Sequence, residues 1–142
     1  MNVTNDSLGA SPAMIEIIKN SLTAITDEMG MALKKSSYSP NIKTREDYTC
    51  SLFNNRLEML AQTAHQIGHL GAFPFIVKET MKEHDVNRLE PGDTIILNDP
   101  YRGGTHLPDI ILISPIFHED RLWVLSEIWR TTVMWAGCLR AA

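Results

Sequence analysis

Cysteine is scarce: Cys50 and Cys138 are the only two in 142 residues, and they stand far apart without CxxC spacing. Two isolated thiols point away from a disulfide framework and from a paired-cysteine zinc site, so Cys50 is expected to pack as a small hydrophobe. Long apolar runs are also missing, since no window reaches the ~18 consecutive apolar residues that a membrane span needs. The segment Met1 to Ser11 is polar and has no basic stretch leading into an apolar one, so it does not read as a secretory signal. A cytoplasmic chain is the expectation. Excess positive charge is absent too: 13 Lys and Arg face 17 Asp and Glu, scattered along the chain, for a net charge of -4. That distribution offers no footprint for nucleic acid or for an anionic membrane, and neither is expected as a partner. Internal repeats and low-complexity tracts are lacking as well.

What is present suffices for one domain, with 44% apolar residues over a length that can bury a core. Residues 1–11 read as a flexible arm. Ser11-Pro12 then supplies a helix cap followed by proline at the first helical position. Met14, Ile15, Ile18, Leu22, Ile25, Met29 and Leu33 recur at three- and four-residue steps, which predicts a long helix to about Lys35 whose apolar stripe is core or an interface. Lys34 and Lys35 suit the helix C-terminus, and Ser36 to Pro40 reads as the turn that ends it. Arg45, Glu46 and Asp47 read as a solvated turn or ion pair leading into a strand.

Tyr48 to Phe53 alternates and is rich in strand formers, Asn54-Asn55 reads as a turn, and Arg56 to Leu60 completes a hairpin. A second, shorter helix is expected from Gly71 to His84, with Pro74 admissible in its first turn. Pro91-Gly92-Asp93 turns the chain into a strand at Thr94 to Leu97, and two more strands, Ile110 to Phe117 and Arg121 to Ile128, flank a turn at His118-Glu119-Asp120. The fold class is mixed α+β.

The most unusual segment is Asn98-Asp99-Pro100-Tyr101-Arg102-Gly103-Gly104-Thr105-His106-Leu107-Pro108-Asp109, a polar loop between two apolar strands. Loops so placed often bear sites. Gly103 and Gly104 permit close backbone approach to a ligand, and His106 and Asp109 are three residues apart and able to converge on one metal ion. The alternative is a capped turn, with Asp99 and Asp109 bonding backbone amides. His65 and His69 are four apart and would share a face of a helix, although neighbouring glycines weaken helix there and a structural pair is the plainer reading.

Taken together, Tyr38-Ser39-Pro40-Asn41-Ile42-Lys43, Ala64-His65, His69-Leu70-Gly71 and the Asn98–Asp109 loop resemble the N-terminal region of the hydantoinase B/oxoprolinase family over residues 12–128. The resemblance implies a partial domain of a larger subunit of an ATP-dependent hydrolase of cyclic amides, of the N-methylhydantoinase or 5-oxoprolinase type. It implies a small cyclic amide as substrate and an A-type partner subunit that binds ATP and phosphorylates it. It also implies a divalent metal ion on His106, Asp109 and a third ligand from a paired-histidine motif. Asp99 and His69 would then be the catalytic candidates, and Arg102, Gly103 and Gly104 the substrate-binding ones. Related acetone and acetophenone carboxylases supply an alternative activity, and a non-catalytic remnant that docks on an A-type subunit supplies another.

The paired-histidine motif of the family is replaced by Arg130-Thr131-Thr132-Val133-Met134-Trp135-Ala136-Gly137, with Thr131 where the third ligand would stand. A permitted codon choice for Arg130 to Ala142, read one base earlier, translates as Ala-His-His-Gly-Asp-Val-Gly-Gly-Met-Ser-Pro-Gly-Ser. Residues 129–142 are therefore expected to be an out-of-frame tail, in which Trp129, Trp135 and Cys138 are accidental, and the chain is expected to be inactive alone.

Overall fold

The computed structural model describes residues 11–63, 69, 71–102, 104 and 106–131. Helix α1 spans Pro12–Ser36, with the Ser11 hydroxyl accepting the Met14 N–H at 3.2 Å and Lys34 and Lys35 in its last turn. The cap and the proline fix this start locally, as the sequence indicates. Its stripe is only partly used: Thr26 and Gly30 are buried, and Leu22, Met29 and Leu33 are half-buried. Met14, Ile15, Ile18 and Ile25 stay exposed. The expected turn after Ser36 is present, and its last residue, Pro40, opens a short helix outside that expectation, α2 (Pro40–Lys43), which buries Ile42.

Strand β1 (Tyr48–Asn54) and β2 (Met59–Gln62) form the expected hairpin, but around a longer turn. The Asn54 carboxamide oxygen accepts the N–H groups of Arg56 and Glu58, and Leu57 takes a left-handed φ of 62°. Helix α3 (Phe73–Glu83) follows, then β3 (Ile95–Leu97), β4 (Asp109–His118) and β5 (Arg121–Thr131). The β4–β5 turn places Glu119 and Asp120 at φ of 47° and 61°. Two successive positive φ values match the right-handed twist of the flanking strands.

The strands form one antiparallel sheet in the order β2-β1-β5-β4-β3. Against one face α3 packs Phe73, Ile76, Val77 and Met81 onto Phe53, Ile111, Ile113, Leu125 and Trp129. On the other, Ile42, Tyr48 and Cys50 meet Met29, Leu33 and Ile128. Cys50 is buried, and burial pushes its thiol up to about 12. Strand β5 continues through Trp129, Arg130 and Thr131 in register with β1 and β4, past the boundary at residue 128 expected from the sequence. Among the described residues no helix is long and apolar enough to cross a membrane.

Candidate functional site

The sheet register brings the site together. Asp109 opens β4 directly opposite Thr131 on β5, and the Thr131 hydroxyl donates to Asp109 Oδ1 at 2.9 Å. The other carboxylate oxygen accepts the backbone N–H of His106 at 2.8 Å, and the His106 ring nitrogen Nδ1 lies 3.8 Å from it. Asp109 is buried while the His106 side chain is 61% exposed. A fixed carboxylate beneath a solvent-facing imidazole is the result. Asn98 reinforces it, since its side-chain amide donates to the carbonyls of Leu107 and Asp109 and ties the ends of the loop together.

His69 belongs to the same neighbourhood. It is buried, pairs through Nδ1 with the Thr49 hydroxyl at 3.0 Å, and stacks on Trp129 with ring centroids 4.1 Å apart. Burial lowers its pKa, against the attraction of Asp47 and Asp109, while His106 adds to the lowering. Asp47 is anchored through its own carbonyl, which accepts the Thr131 N–H at 3.2 Å. Strand alternation puts Thr49, Trp129, Thr131 and Asp109 on one face.

Asp99 and Arg102 pair with each other. The Asp99 carboxylate accepts the Tyr101 N–H at 2.9 Å and meets Arg102 Nε at 3.2 Å. Arg102 Nη1 also contacts Glu83 Oε2 at 2.5 Å, which holds the loop to the end of α3. The capped-turn reading therefore describes this half of the loop, and the ion pairs hold the Glu83 carboxyl below its ordinary range. At Gly104 an added Cβ would lie 3.1 Å from Pro100 Cα, so a side chain there would press on the loop's own backbone. Gly103, His65, Trp135 and Cys138 lie outside the described residues.

Among the described residues no group of three or more His, Cys, Asp or Glu side chains is gathered to hold a metal ion. His106 and Asp109 could supply two donors, and Thr131, where the family resemblance expects a third, holds a hydroxyl that donates to the Asp109 carboxylate. Catalytic cations of this kind take at least three protein ligands. The described residues thus fit a divalent ion incompletely. Sequence reasoning missed Thr49, Asp47 and Trp129 as neighbours of His69; the one signal available was the alternation that puts Thr49 and Ser51 on one side of β1 and Tyr48 and Cys50 on the other.

An α+β module with a buried aspartate and a histidine on the loop before it is what the geometry defines, and comparison places it. The sequence profile described as hydantoinase B/oxoprolinase matches residues 11–136, and the chain belongs to that family. It is 43% identical over 111 residues to an uncharacterized protein of Methanocaldococcus jannaschii, a match covering 76% of this chain and 20% of that protein. It is 37% identical over 110 residues to a 5-oxoprolinase of Saccharomyces cerevisiae, covering 78% of this chain and 8% of the enzyme. Among solved structures, the ATP-dependent caprolactamase from Pseudomonas jessenii superposes with a TM-score of 0.78 at 25% identity, over 87% of this chain and 21% of that one. The chain spans a fifth or less of the length of these curated relatives.

Proposed function

We propose that this chain forms the part of a B-type subunit of an ATP-dependent cyclic amide hydrolase that carries the His106 and Asp109 donors, and that it has no hydrolytic activity by itself. The relatives supply the reaction class, for they are named 5-oxoprolinase and caprolactamase. In this reading an A-type partner binds ATP and activates a small cyclic amide, and the B-type subunit hosts ring opening. A divalent ion there would polarise the amide oxygen or acidify a water molecule. This chain's own contribution is positional: Asp109 is held by the His106 amide and Thr131, and His69, kept in its neutral form by burial, is able to accept a proton. Asp99 is committed to Arg102 and to the Tyr101 amide, so in this reading it shapes the loop, and Arg102 and Gly104 remain the substrate-binding candidates.

The observation that carries the proposal is the contact between Thr131 and Asp109. Position 131, where the resemblance puts the third ligand, touches the carboxylate directly. Thr131→Asn replaces the hydroxyl by a carboxamide, a much weaker ligand than imidazole for these ions, and Thr131→His adds an imidazole. Titration calorimetry with Mn²⁺ or Zn²⁺ is expected to show at least tenfold tighter binding for Thr131→His than for the wild type or Thr131→Asn. That gain should vanish when Asp109→Ala is combined with it. Equal binding by all four chains would sink the reading. Detectable ATP-dependent hydantoin hydrolysis by the unaltered chain with an A-type subunit would contradict the predicted inactivity.

A further inference from the structure

The second face of the sheet is only half covered. Helix α1 rests on β1 and β2, and its N-terminal turns extend past them, leaving Ile17 61% exposed together with Ile18 and Ile25. Register puts Ile96 on the same face as Leu112 and Ile128, and Ile96 is 67% exposed, with Ile116 open as well. Separately from Ile96 and Ile116, a groove of about 820 Å³ runs between α1 and the β4–β5 end of the sheet, lined by Ile17, Ile18 and Ile25 from α1, by Leu60 from β2 and by Trp123, itself 64% exposed, from β5. A helix wall and a sheet floor thus meet in one apolar corner. Contiguous apolar surface of this kind on a soluble domain marks a place where protein is meant to pack.

The geometry points to one occupant: an apolar-faced segment of the B-type body that lies outside the region this chain shares with its relatives. This rests on the family membership, not on the proposed activity. The length argues for it, because about four fifths of each such relative lies beyond the matched region and has to be joined to this module somewhere. The site face of the sheet already carries α3 and the Asn98–Asp109 loop. The α1 face carries α1 and the single turn of α2, with open floor beside them, and a further helix laid next to α1 would sit at the usual interaxial separation of about 8–10 Å. The groove lining includes Arg121, His118 and Glu119 at its mouth, a polar rim around an apolar centre.

The test is co-expression of the full 142-residue chain with the part of the Methanocaldococcus jannaschii relative outside its matched segment. A soluble 1:1 complex is expected on size exclusion with light scattering. Ile17→Asp and Trp123→Asp, both exposed and therefore compatible with folding, should each weaken it at least tenfold by titration. Phe75→Ser, an exposed residue on α3, should leave it unchanged. A complex indifferent to the groove variants overturns the inference, as does a monomeric chain with the partner segment left insoluble. Dimers of the chain alone that Ile17→Asp converts to monomers would assign the groove to a second copy and overturn it too. None of these readouts requires catalysis, so loss of the proposed activity does not affect them.

Discussion

The imidazole of His69 lies flat on the indole of Trp129, with centroids 4.1 Å apart and planes 7° apart, and its Nδ1 is held by Thr49. Burial makes the charged form of this ring costly, so the folded chain lowers its pKa below the unfolded value of 6.5. The unfolded state therefore binds more protons below that value, and the contribution of His69 is full above pH 6.5 and lost as pH falls through the folded pKa. Urea midpoints should drop on acidification from pH 7 to pH 5. His69→Gln, though less stable at pH 7, should flatten that drop. A variant with an unchanged slope would remove His69 from the account.

Glu127 predicts the opposite slope. Its side chain is fully buried, accepts the Ser51 hydroxyl at 2.9 Å, and has no hydrogen-bond partner for Oε1 among the described residues. Burial raises its pKa well above 4.5, against the lowering effect of Ser51, so the folded chain keeps the proton that the unfolded chain releases. Stability from this group is present below pH 4.5 and is lost as pH rises toward the folded value. Glu127→Gln keeps the acceptor for Ser51 and cannot ionise. Relative to the wild type, it should be more stabilising at pH 7.5 than at pH 4.5. Denaturation of both chains at the two pH values checks this.

Gly30 is the contact point of α1. A methyl group there would lie 3.0 Å from Cε2 of the buried Tyr48 ring and 3.3 Å from Thr63 Cγ2. Alanine gains about 1 kcal/mol of helix propensity over glycine, but overpacking a tight contact costs about 1–3 kcal/mol. Gly30→Ala should therefore be neutral to moderately destabilising, and Gly30→Val clearly destabilising, by thermal or urea unfolding. Stabilisation by both would mean that α1 is free to lift from the sheet.

These contacts also separate what the sequence discloses from what it conceals. Ser11-Pro12 announces the start of α1 because a cap and an N1 proline act within one turn. The Glu119-Asp120 turn is legible for the same reason. At the β1–β2 turn, by contrast, the left-handed residue is Leu57, a type that seldom adopts that conformation, so Asn54-Asn55 drew the turn too short. His106 and Asp109 were visible as neighbours along the chain. Thr131 is 22 residues from Asp109 and Thr49 is 20 from His69, and only the pairing of β5 with β1 and β4 brings these groups together. Periodicity reveals that a residue faces inward but not which strand lies beside it.

The coding DNA offers a separate prediction. If residues 129–142 arise from a shifted frame, the frame one base earlier should encode a pair of histidines beginning at the position of Thr131, followed by an aspartate and two glycines. Sequencing across codon 130 and beyond checks this. A single clean frame with no such alternative would make Thr131 the native residue, and the site a two-donor one by design.

Strand β5 is the last strand of the sheet in chain order, yet it lies third of five in space, between β1 and β4. Until it arrives, the β1–β2 hairpin and the β3–β4 pair have no common edge to join. Closing the β1–β5 pairing spans Tyr48 to Arg130, and such long-range closure makes folding slow. During synthesis the sheet therefore stays in two halves until Thr131 has left the ribosome. A growing chain thus keeps the edges of its apolar strands unpaired until β5 is available.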